Sequence, residues 1–125
     1  MDARSLARTL AYLRIALGAG LVVAPARSAR GWVGEDGTSR AAQVMGIAVG
    51  ARDVAVAAGT LRALAKQEDA RPWVAASVLC DAADAAANIS RRDALPATGA
   101  IGVTALAGSA AAIGLWLLKE LSQVR

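Results

Sequence analysis

Apolar and small residues run along this chain in four long blocks, at 6–23, 41–61, 72–89 and 97–118, with short polar stretches between them. Each block approaches the roughly 20 residues that cross a hydrocarbon core of about 30 Å as a helix. The last is uninterrupted: its 22 residues include no ionisable side chain. The others are broken only by Arg8 and Arg14, by Arg52 and Asp53, and by Asp81 and Asp84. Between them, 25–39 collects Gly, Arg and Asp, 66–71 is charged, and 90–96 holds Arg91, Arg92 and Asp93, so all three read as loops. Thr38 and Ser39 suit the start of the second helix, and Pro72 suits the first turn of the third, where a missing N–H costs nothing. No stretch alternates as a strand does. The expected fold is all-α: one integral-membrane domain over 1–125, a four-transmembrane-helix bundle running up-down-up-down. A soluble four-helix bundle would need a polar outer face on every helix, and the fourth block has none. Trp32, Trp73 and Trp116 fall in or beside block ends, where interfacial anchors sit.

The first block imitates a secretory signal, with Arg4 and Arg8, then apolar 15–23, then Ala24-Pro25-Ala26. The expectation is that it stays as the first span, which places both termini on one side. With Arg8 counted to the N-terminus and Arg40 to the first loop, the termini and 62–71 hold seven Lys and Arg against five in the other two loops, so the chain is expected in the cytoplasmic membrane of a bacterium with its termini on the inner side.

Composition narrows the chemistry. Alanine supplies 33 residues while Phe and His are absent, so large aromatic packing and every imidazole-based relay or metal site are excluded. Cys80 has no second cysteine to pair with and lies in an apolar run, which reads as filler rather than a nucleophile. The net charge of +4 suggests nucleic acid, but the 14 Lys and Arg are scattered and only four aromatics exist for base stacking, so no nucleic-acid partner is expected. Arg outnumbers Lys twelve to two, a bias that a GC-rich genome produces. The turn at 34–37 lacks the Lys-Ser/Thr of a phosphate loop.

The informative feature is the depth of the charges. Arg14, the Arg52-Asp53 pair and Asp81 all stand near the middle of their blocks. A charged side chain there costs about 2.5–3.5 kcal/mol on insertion scales, whereas a Leu, Ile or Val returns only about 0.3–0.6, so the carboxylates need partners. Spacing says where they point. Ser77, Asp81, Asp84 and Asn88 recur at steps of four, three and four, on one stripe. Gln43, Gly46, Gly50, Asp53, Ala57 and Thr60 follow a similar pattern, and Gly46-x-x-x-Gly50 admits a close neighbour, in the same chain or in a homodimer. Ala7, Ala11, Arg14 and Gly18 line the first helix, and Gly102, Ala105, Ser109, Ala112 and Trp116 are expected to line the fourth. Two Arg against three Asp leave one negative charge in excess, which predicts an ionised base beside a neutral acid.

At Gly50-x-Arg52-Asp53, followed by Gly59 and by Asp81 in the next block, the sequence resembles small four-helix bacterial membrane proteins of the DoxX-like neighbourhood. The resemblance covers nearly the whole chain. It implies topology and carries no activity.

Three readings of the cluster are open. As an acid–base enzyme on a lipophilic small molecule, without a cofactor or metal, the chain would use Asp53 and Asp81 as base and acid, in either order. Arg52 would bridge them, and Asp84, Arg14, Ser77 and Asn88 would support and bind. Epoxide opening, by hydrolysis or cyclisation, needs these roles, and the grouping is similar in chemistry to the Asp-Arg-Asp site of limonene-epoxide-type hydrolases; isomerisation is close to it. As a structural protein, the cluster would be interhelical glue. As a transporter, Asp81 or Asp84 would carry a proton. Asp81-x-x-Asp84 also resembles the magnesium-diphosphate aspartates of intramembrane prenyltransferases, but such sites use further carboxylates and a longer chain, and here three acids stand beside two Arg.

Overall fold

The computed structural model describes residues 2–123; Arg125, one of the seven cations counted for orientation, lies outside them. Among the described residues the chain is helical and has no strand. The main elements are α1 (Ala3–Val23), α2 (Pro25–Val33), α3 (Arg40–Ala65), α4 (Arg71–Ser90) and α5 (Thr104–Gln123), with a π-helical turn, Thr98–Val103, leading into α5.

Local chemistry sets the boundaries. Asp2 caps α1 by accepting from the Ser5 N–H at 2.9 Å, and Ser39 caps α3 by accepting from the Ala42 N–H at 3.2 Å. Thr38 instead donates to the Glu35 carbonyl. Pro72 occupies the first turn of α4, as expected. Arg4 reaches across to the Leu64 carbonyl at 3.1 Å and so satisfies the end of α3 from the start of α1.

Among the described residues, three helical stretches are long and apolar enough to cross a membrane: Ala3–Val23, Arg40–Ala65 and Thr98–Gln123. The third block, α4, is helical over 20 residues but is not one of them. Asp81, Asp84 and Asn88 lower its hydropathy.

The segment 25–39, expected as a loop, instead begins with the helix α2 and ends in a 3-10 turn, Gly34–Thr38. Pro25 starts it, and its pattern is too short for periodicity to reveal. α2 is strapped to α1 by the Ser28 hydroxyl, which donates to the Gly20 carbonyl at 2.9 Å. Gly37 then fits against its backbone, where a Cβ would lie 2.5 Å from the Ala29 carbonyl carbon.

α1 lies antiparallel on α3, with Arg4 near Leu64, Arg14 near Asp53 and Gly18 near Gly50. α4 packs chiefly on α5, with Val78 against Gly114, and the two pairs touch each other less. The Gly46-x-x-x-Gly50 face meets α1 of the same chain: a Cβ on Gly50 would stand 2.4 Å from the Gly18 carbonyl. Ala7, Leu64, Val74 and Leu117 form an apolar cluster at one end.

Inside and outside are inverted in size. The buried side chains are mostly small, such as Ala7, Ala11, Ala57 and Ala63, while Tyr12, Val44, Met45, Leu79 and Ile101 stand exposed. The expected stripes on α1 and α3 are largely buried. The stripe expected on α5 is not: Gly102, Ala105, Ser109, Ala112 and Trp116 face outward, and Ala107, Gly114 and Leu117 face in. A helix apolar on every side carries no phase in its sequence.

Candidate functional site

Arg14 from α1, Arg52 and Asp53 from α3, and Asp81 and Asp84 from α4 meet in one row. The guanidinium of Arg14 donates through Nη1 to Asp53 Oδ1 at 3.1 Å and through Nη2 to Asp81 Oδ2. Arg52 donates to the same Asp53 oxygen from Nε at 3.2 Å and Nη2 at 3.1 Å. It also grips Asp84 with two parallel bonds, Nη1 to Oδ1 at 3.1 Å and Nη2 to Oδ2 at 2.7 Å. The order along the row is Asp81, Arg14, Asp53, Arg52, Asp84. Local folding explains the register. Gly18 and Gly50 bring α1 and α3 into backbone contact one turn from Arg14 and Asp53, so a long guanidinium spans the gap between helices.

The three acids are used differently. Asp84 commits both oxygens to Arg52, whereas Asp53 and Asp81 each meet guanidinium groups through one. Asp53, Asp81, Asp84 and Arg14 line a cavity of about 720 Å³, and Arg52 stands behind its wall. The remaining lining is mainly Ala, Leu and Val, with Ser77, Thr60, Ser28 and Trp32 as its other polar members. Such a space, apolar with a few convergent polar groups, is the usual form of a small-molecule site. Among the described residues, no group of three or more His, Cys, Asp or Glu is placed to hold a metal ion. Cys80 is half-buried and outside the cavity wall.

Of the residues the sequence singled out, Arg14, Asp53, Asp81, Asp84 and Ser77 come together at the cavity, and Arg52 joins them from behind. Asn88 does not line it. Its Oδ1 accepts from Trp32 Nε1 at 3.0 Å, and its buried Nδ2 has no hydrogen-bond partner among the described residues. Trp32 is therefore tied into the bundle beside the cavity, whereas Trp73 and Trp116 are exposed. Sequence reasoning missed Trp32 and Ser28 as lining residues because α2 read as a loop, and the hydrophobic residue in an Arg-rich segment looked like an interfacial anchor. Replacing Trp32 with Phe should cost about 1–3 kcal/mol, since it leaves a buried amide with neither atom bonded. Asn88→Leu in the Trp32→Phe background should recover most of that loss, and thermal unfolding of the two single variants and the double variant measures the coupling.

Comparison of the chain with family models, with curated proteins and with solved structures found no match, so the functional reading rests on this geometry.

Proposed function

We propose that this chain is a four-span, up-down-up-down protein of a bacterial cytoplasmic membrane whose cavity takes a lipophilic small molecule and performs acid–base chemistry on it. The observation that carries the reading is the division of oxygens. Asp53 and Asp81 each spend one on the arginines and stand in the wall of an apolar cavity, so each keeps a second for a bound molecule. Membrane placement is supported by large apolar side chains outside and small ones inside, the reverse of a soluble bundle. α4 is carried by its neighbours, because its aspartates are paired with Arg14 and Arg52.

Epoxide opening fits these parts. One carboxylate takes a proton from water, the water oxygen bonds to an epoxide carbon, the C–O bond breaks, and the freed oxygen takes a proton from the second carboxyl group. The product is a vicinal diol, and a proton passing from the first carboxyl group back to the second restores the starting pair. If the first carboxylate instead takes a proton from the carbon beside the ring, the same groups yield an allylic alcohol. The Arg52–Asp84 fork reads as an interhelical clamp, since neither oxygen of that acid is left over.

The test is turnover of a panel of lipophilic epoxides by the protein in nanodiscs, read by mass spectrometry for diol or allylic alcohol. Wild type should convert at least one, and Asp53→Asn and Asp81→Asn should each lose about 100-fold or more. Unchanged turnover in both variants would overturn the assignment, and so would a wild type that binds these epoxides and converts none.

A further inference from the structure

The cavity has a length and a mouth that together describe what it holds. Its wall on α1 runs from Ala7 to Leu21, and its wall on the last helix from Val103 to Leu117. At the rise of an α-helix each is about 21 Å long. Arg14 stands midway along the first of these walls, with Asp53 and Asp81 bonded to it. The charged row therefore crosses the cavity at half its length, with about 10 Å of wall to either side. One arm is bounded by Leu10, Ala57 and Val74 and closes on Leu117. The other is bounded by Leu17, Leu21 and Val103 and is roofed by α2 through Ser28 and Trp32.

The mouth is on the side. Leu13 and Leu17 of α1 and Leu106 of α5 belong to the cavity wall, yet each is 56% exposed. α1 and α5 meet only sparingly, far less than α1 meets α3 or α4 meets α5. The seam between them opens within about a turn of Arg14, where Leu13 and Leu17 stand exposed. A water-soluble substrate would cross apolar surface to reach it, while a lipid-dissolved one meets it directly.

We propose that the ligand is a long, two-armed lipophile that passes sideways from the hydrocarbon phase between α1 and α5, with its polar reacting group in mid-chain. The proposal rests on the membrane and acid–base reading above and specifies its substrate class. A molecule with its polar group at one end would set that group against Val74 and Leu117 or leave half the cavity empty. A chain with a central polar function puts that function beside Arg14, Asp53 and Asp81 and fills both arms.

The experiment uses the full chain in phosphatidylcholine nanodiscs and an octadecyl ester carrying a photoactivatable diazirine in mid-chain, with adducts mapped by mass spectrometry. Competitors are the mid-chain cis-epoxide of methyl stearate and a terminal epoxide of equal carbon number. Adducts are expected on the α1 and α5 segments that border the seam, with the mid-chain epoxide competing about tenfold better. Leu106→Trp should reduce labelling about tenfold by placing an indole in the mouth. Should that variant unfold, Ala110→Trp narrows the same wall from one turn further along α5.

Adducts confined to outer faces such as those of Val44 and Leu79, labelling unchanged in the folded tryptophan variants, or equal competition by the two epoxides would each overturn the proposal. Seam labelling without turnover of any epoxide upholds this route and sinks the acid–base reading. Turnover of terminal epoxides without seam labelling sinks this inference alone.

Discussion

Arg14→Met should be the most damaging single change in the charged row, lowering stability by about 3–5 kcal/mol, or roughly 10–20 °C in the thermal midpoint. Arg14 stands between Asp53 and Asp81 and donates to both. Its side chain is 14% exposed, and those of its partners 14% and 9%, so water replaces little of what is lost. Without it, three carboxylates share the single guanidinium of Arg52, and Asp81 loses its ion pair with Arg14. Methionine keeps much of the length and apolar stem, so the loss reports charge rather than a cavity. Differential scanning of wild type and variant in nanodiscs measures it. A variant melting within about 3 °C of wild type would show that the row does not hold the helices together.

Gly50→Val should cost about 3 kcal/mol through a different cause. A Cβ at this position would lie 2.4 Å from the Gly18 carbonyl oxygen and 2.8 Å from Leu21 Cβ, neither of which can rotate away. α1 must then move off α3. Arg14 lies one turn before Gly18 and Asp53 three residues after Gly50, so the 3.1 Å bond between them is strained by the same movement. Gly50→Ala should show the same sign at smaller size, while Gly108→Ala, where a Cβ meets nothing within 4 Å, should leave the midpoint in place. If Gly50→Val melted with wild type and instead changed the oligomeric state, the Gly46-x-x-x-Gly50 face would belong to a contact between chains.

Much of this arrangement was legible in the sequence because it is written in contrasts. A charge in the middle of an apolar block stands out, and its helical spacing assigns it a face. Arg14, Asp53, Asp81 and Asp84 are therefore identifiable together from the sequence. The same logic fails where contrast is missing. α5 is apolar all round, so Ala105, Ser109 and Trp116 were placed inside when Ala107, Gly114 and Leu117 are. A π turn at its start, where Gly99 lets the Trp32 carbonyl approach, has no signature in periodicity. α2 failed for the opposite reason: nine residues with Arg27, Arg30 and Gly31 look like a loop until Ser28 and Trp32 are seen tied to α1 and α4. Asn88 shared the stripe of Ser77, Asp81 and Asp84, but at the far end of α4 it meets Trp32 rather than the cavity. Spacing gives direction, and the depth of a neighbour decides what is met.

The division of labour among the acids carries the account, and the thermal unfolding of Asp53→Asn beside wild type and Arg14→Met tests it most directly. Asp53 takes every arginine bond on Oδ1, an atom that an amide oxygen can replace. The variant also leaves two arginines facing two aspartates, with Arg14 on Asp81 and Arg52 on Asp84. The predicted result is a midpoint equal to or above that of wild type, because an acid kept for chemistry is an excess charge that the fold does without. A fall as large as that of Arg14→Met would contradict the account and leave the whole row as interhelical glue.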